Sequence, residues 1–276
     1  MFYPSLQLRQ WTTPCTPKGP SFRQAKKHQV VIGGNAVEFK LPASNPRSCD
    51  QRIKPKRHYD LNHLQSVRYS SDKEGWLYSP IAKQIWNFYG PWFLGWMASA
   101  NCNMGVIEKN EPSNTSFFHP RTFENAIFEL MAFQYDERIS DNYEDQLYFA
   151  PHQWRALEHY PVPAAHFLAL NNHDKQPVFH NRHHLIFPIS DNHLVGFMFS
   201  LHRRWKWVDN KAVENNDEWL PLEPMETLIK HIIDSVSVEL SPQAEAQKQA
   251  AQAGLTDTSL VKVFPPVNLV ECEKRR

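Results

Sequence analysis

Hydrophobic and polar positions fall into clear periods in the last third of the chain. Leu185 to Ser190 reads as a strand, Asp191-Asn192 as a turn, and His193 to Trp207 as a second, longer strand. After a polar loop comes an amphipathic helix, Pro224 to about Val236. It carries Met225, Leu228, Ile229, Ile232, Ile233 and Val236 on one broad face. Glu223 and Glu226 stand near its N-terminus, where carboxylates are favourable. Ser241-Pro242 opens another helix, Gln243 to Ala253, ended by Gly254; its only apolar residues are alanines, which predicts a surface helix.

Upstream, Val30 to Ile32 and Ala36 to Leu41 read as two strand pieces around a Gly33-Gly34 turn, closed by Pro42. Ala43 to Ser71 is a polar, basic, loop-rich excursion. Gln84 to Tyr89 predicts a strand, Gly90-Pro91 a turn, and Trp92 to Ile107 a long strand with large residues on both faces. Pro120 starts a helix in the first-turn position that proline tolerates, with Phe123, Ile127 and Leu130 at helical spacing. Pro151 to Tyr160 is expected to form a short helix stopped by Pro161 and Pro163. Ala164 to Leu170 and Pro177 to Ser190 are strand candidates. No internal repeat and no Pro/Gly/Ser linker divides the chain.

The expected fold is therefore α+β: an antiparallel β-sheet packed by a few helices, with an irregular leader at 1–28 and one domain over 29–240. A C-terminal surface helix and tail follow at 241–276. Composition agrees with a folded protein: 41% hydrophobic, 13% aromatic and only 21% charged. No apolar run approaches the roughly 20 residues a membrane helix needs. The start, Met1-Phe-Tyr-Pro-Ser-Leu6, lacks the basic and apolar regions of a signal peptide. Cys15, Cys49, Cys102 and Cys272 form no paired motif, so free thiols in a cytoplasmic setting are expected.

Charge changes the picture only locally. Residues 1–58 hold eleven Lys/Arg against two acids, Glu38 and Asp50, while the whole chain carries +1. Such an arm suits phosphate backbones, anionic lipid or an acidic protein face, or it lies on the acidic remainder of its own molecule.

Candidate chemistry centres on histidine, since nine of the fourteen lie between His152 and His202. His152, His159, His166, His173 and His180 recur every seven residues, but Pro161, Pro163 and Pro177 break any common helix. In His180-Asn-Arg-His183-His184, strand geometry puts His180 and His184 on one face roughly 13 Å apart, too far to share a metal, with His183 opposite. His193, across the hairpin, is the remaining residue that could approach one of them. There is no Gly-x-Ser-x-Gly elbow, no catalytic cysteine signature and no Gly-rich phosphate loop. The carboxylates of Asp136-Glu137, Asp141 and Glu144-Asp145 read as solvated loop charges. Trp86, Trp92, Trp96 and Trp219 read as core or half-buried sheet residues. Arg203, Arg204, Trp205 and Trp207 form a candidate partner-binding edge, because Trp and Arg concentrate at interfaces.

Two segments, Val37-Glu-Phe-Lys-Leu-Pro42 and Leu228-Ile-Lys-His-Ile-Ile-Asp-Ser-Val-Ser-Val238, resemble the PsbP/DcrB-like α+β domain. That resemblance implies a non-enzymatic binding, assembly-factor or secretion-chaperone module. The expected function is a bacterial-type protein-binding module without cofactor or metal, such as an effector chaperone or immunity-like protein. The alternatives are a metal-dependent hydrolase using the 180–193 histidines, or nucleic-acid binding through residues 1–58.

Overall fold

The computed structural model describes residues 15–45, 53–64, 67–68, 75–91, 95–109, 115–136, 148–171, 182–204, 206–208, 211–213 and 218–263. Its first feature is the hairpin of β1 (Lys26–Ile32) and β2 (Asn35–Leu41). Gly33 and Gly34 both take positive φ, 55° and 84°, which a tight two-residue turn requires and β-carbons resist. Asn35 behind them is buried and ties three elements together. Its amide donates to Ile32 O and Ile189 O, both at 3.0 Å, and its carbonyl accepts from Ser241 N–H at 2.9 Å.

The remaining elements are β3 (His58–Tyr59), β4 (Val67–Arg68), β5 (Trp76–Tyr89), β6 (Trp96–Lys109), α1 (Pro120–Asp136), β7 (Tyr148–Ala156), β8 (Ala165–Asn171) and β9 (Arg182–Pro188). They continue with β10 (His193–Arg203), β11 (Lys206–Val208), β12 (Lys211–Val213), α2 (Glu223–Asp234), β13 (Ser237–Glu239) and α3 (Pro242–Gln252). A four-stranded sheet runs β13-β2-β1-β3 and a seven-stranded sheet runs β4-β5-β6-β10-β9-β8-β7, beside a small β11–β12 hairpin. Pairing is antiparallel except for the short β1–β3 contact. This is the α+β fold, with antiparallel sheets packed by a few helices, that the periodicities predict.

Strand alternation sorts the core into two layers. On one face of the large sheet, Trp86, Met104, Val195, Phe197 and Phe187 pack against Val37 and Phe39 of the small sheet and against α2. On the other face, Trp76, Phe167 and Ile186 pack against the α1 stripe of Phe123, Ile127, Leu130 and Met131. Helix α2 buries Met225, Leu228, Ile229, Ile232 and Ile233, each worth roughly 2 kcal/mol of transfer free energy. Helix α3 is capped by Ser241, whose Oγ accepts from Ala244 N–H, and lies at the surface with Ala244 as its buried contact. The two PsbP/DcrB-like segments are neighbours in space: Val37 of β2 pairs with Val238 of β13.

The short helix expected at Pro151 to Tyr160 is instead the second part of β7, the outermost strand of the large sheet, followed by a turn from Leu157 to Tyr160. Two irregularities interrupt its pairing with β8, around His152 and again before Arg155. They remove the simple alternation that marks a strand in sequence, and an edge position tolerates Pro151. Trp154 fixes the assignment physically by stacking on Phe167 at 5.9 Å and donating its indole N–H to Val261 O at 2.7 Å. Within the span read as an irregular leader, residues 15–28 rest on the body of the domain. Cys15 N–H donates to Trp219 O at 3.0 Å, Lys18 bridges Tyr89, and β1 begins at Lys26.

Candidate functional site

Two regions of the large sheet combine chemistry with access. The first is the end where β5 finishes and β6 begins. Tyr89 and Trp96 are cross-strand partners there, and Gly90 N–H closes the connection by donating to Gly95 O at 3.1 Å. Their side chains stand 39% and 41% exposed, unusual for large aromatics that neighbour the buried Phe88 and Met97. Trp96, expected as a core or half-buried sheet residue, is more exposed than that because it opens its strand where the sheet ends. No pattern in the sequence marks this, since both parities around it are apolar.

Arginines flank the pair. Arg203 lies opposite Ala98, and Arg204 N–H donates to Met97 O at 2.6 Å, so β10 delivers both beside the start of β6. Each is half-buried and engaged with other groups of the molecule. Trp205 and the side chain of Trp207, the other two residues of the expected partner edge, lie outside the described set. More positive charge comes from the basic N-terminal third. Lys18 pairs with Tyr89 through both backbone bonds, 2.8 and 2.9 Å. Ile53 pairs with Lys83 at 3.1 Å in each direction, so exposed Lys54 follows a second bridge on that edge, while Arg57 O accepts from Val31 N–H of β1 at 2.8 Å and belongs to the small sheet.

The second region is a cleft of about 340 Å³ between α2 and the β7–β9 end of the sheet. Its floor holds His166, Leu168 and His183; Ile229 and Ile233 wall one side, and Gln153 and Arg155 stand opposite. His166 and His183 lie on adjacent strands with rings nearly coplanar, 9° apart, and His166 Nε2 sits 3.2 Å from His183 Nδ1. Among the described residues, His183 Nε2 is buried without a hydrogen-bond partner. A buried orphan N–H is rarer than a buried orphan acceptor, which assigns the His183 proton to Nδ1, donated to His166. His166, which lines the cleft, then keeps its remaining proton on Nδ1.

Both rings are neutral at pH 7. Burial, then the nearby Arg155 guanidinium, lowers the His166 pKa to about 4; burial and His166 itself lower that of His183 to about 3. Arg155 approaches Asp234 only to 3.9 Å, a loose pair, while Lys230 one helical turn earlier holds Asp234 closely. Gln153, at φ 49°, is the one non-glycine residue with positive φ among those described, which places a strained backbone position in the cleft wall.

The other histidines do not join this pair. His184 faces the opposite layer as expected, stacking on Phe167 at 5.1 Å with its pKa lowered to about 3, chiefly by burial. His183 and His184 are 7% and 3% exposed, buried sheet residues rather than surface ones. His193 does not approach them. The register pairs His183 with Phe199 and His184 with Met198, leaving His193 at the far end with Glu108 (3.2 Å) and Ser190 Oγ (2.8 Å). His180 lies outside the described residues, and among those described no three His, Cys, Asp or Glu side chains converge to hold a metal.

Comparison with protein-family models, curated proteins and solved structures found no match to this chain.

Proposed function

We propose that this protein is a non-catalytic protein-binding module whose partner face is the β5–β6 end of the large sheet. The observation that carries this reading is the exposed Tyr89–Trp96 pair beside Arg203 and Arg204. Aromatics and arginines supply most interface energy where they cluster and desolvate together. Trp205 and Trp207, whose side chains lie outside the described residues, are close in sequence to Arg203 and Arg204 and belong to the same proposed edge. Exposed Lys18, whose backbone pairs with Tyr89, favours an acidic partner surface and speeds its approach. The PsbP/DcrB-like segments support a binding rather than a catalytic role, as an effector chaperone or immunity-like protein in a bacterial cytoplasm. Free Cys15 and Cys102 suit a reducing compartment.

Selection from a displayed random-peptide library tests the reading. Sequences combining acidic and aromatic residues are expected to enrich on the wild type and to be lost on Trp96→Ala and on Arg204→Glu. Enrichment that ignores both substitutions contradicts it. Duplex DNA and single-stranded RNA serve as counter-probes, because phosphate binding would weaken by orders of magnitude with added salt whatever residue stands at position 96.

A further inference from the structure

We propose that the cleft between α2 and β7–β9 is a second binding site, for a small zwitterionic ligand of the free-tripeptide class. Its carboxylate would lie between Arg155 and His166, and its ammonium group at Glu223 and Glu226. This site is independent of the aromatic partner face.

Arg155 and His166 are directly opposed on adjacent antiparallel strands, so their side chains share one face and converge at the cleft. Arg155 presents a guanidinium fork whose contact to Asp234, 3.9 Å, is longer than a hydrogen bond. A ligand carboxylate can take that fork in bidentate geometry, which Asp234, drawn away by Lys230, does not. The His166 Nδ1–H adds a neutral donor, oriented by the His183 bond on the other side of the ring. Gln153 stands in the same wall two residues before Arg155, its side chain aimed by the irregular, positive-φ backbone of the edge strand.

The opposite end of the cleft is acidic. Glu223 and Glu226 occupy the first turn of α2 and line the cavity, whereas Lys230 and Asp234 line its other end. Glu226 and Asp234 are eight residues apart, roughly 12 Å along a helix axis. An extended tripeptide spans about 10 Å, so its two charged termini match the two ends. Between them Leu168, Ile229 and Ile233 give an apolar strip for a central side chain.

Titration calorimetry with the tripeptide Ala-Leu-Ala on the full chain tests the proposal. Binding is expected below about 1 mM, weakened about tenfold or more by C-terminal amidation, by N-acetylation, by Arg155→Gln and by Glu226→Gln. Arg155 is half exposed and Glu226 exposed, so both variants fold; a thermal melt verifies this. Trp96→Ala is expected to leave tripeptide binding unchanged. Absence of binding at about 1 mM, or binding that survives amidation or acetylation, overturns the proposal.

Discussion

At the β5–β6 end of the large sheet, Tyr89 and Trp96 expose about two-fifths of their surface, and arginines gather beside them. At the β7–β9 end, His183 retains 7% exposure, His166 is hydrogen-bonded to it, and Arg155, Glu223, Glu226, Lys230 and Asp234 line the cleft with them. One end leaves large aromatic side chains partly exposed. The other has polar groups organised around an open cleft. Both ends share one core, so substitutions that separate them reveal which features serve folding and which serve recognition.

The largest effect is expected in the shared core. Ile232 of α2 is fully buried, and Ile232→Ala is expected to cost about 3 kcal/mol by chemical denaturation. It should disturb the cleft, which α2 walls, before the aromatic end. Trp96→Ala should do the reverse. It is expected to cost roughly 1–2 kcal/mol of stability, less than Ile232→Ala, and about 2 kcal/mol in affinity for a display-selected acidic peptide.

Acid separates the two ends further. His166, His183 and His184 have folded pKa values of about 4, 3 and 3, below an unfolded value of roughly 6.5. Between those limits the unfolded chain binds more protons than the folded one, so stability falls as pH drops below about 6.5. Each group contributes up to about 1.4 kcal/mol per pH unit. Denaturant titrations from pH 7 to pH 5 should show that slope, and His184→Phe should flatten it by removing one imidazole. The smallest change belongs to Gln153. Gln153→Gly relieves a left-handed backbone and is expected to stabilise by about 1 kcal/mol in thermal melts. It should also weaken tripeptide binding, a sign that the strain serves the site.

The elements that local period specifies were legible in the sequence. Helix α2, the Gly33-Gly34 hairpin and the β9–β10 hairpin each carry a sequence-local signal that needs no partner to be read. Strand β7 was not legible, because its irregular pairing and Pro151 erase alternation on an edge strand. The His166–His183 pair was equally hidden. It depends on the register between β8 and β9, which pairs His166 with Leu185 and Leu168 with His183. The seven-residue histidine spacing includes His166 for no structural reason. Arg203 and Arg204 were legible as a candidate edge, while Tyr89 and Trp96 joined them only through the pairing of β5, β6 and β10.

The most direct measurement is the affinity of one display-selected acidic peptide for wild type, Trp96→Ala and Arg155→Gln by titration calorimetry. The partner-face account predicts at least about tenfold weaker binding for Trp96→Ala and a change within about twofold for Arg155→Gln. Binding that is lost in Arg155→Gln and kept in Trp96→Ala would contradict it and move the protein-recognition surface to the cleft beneath α2.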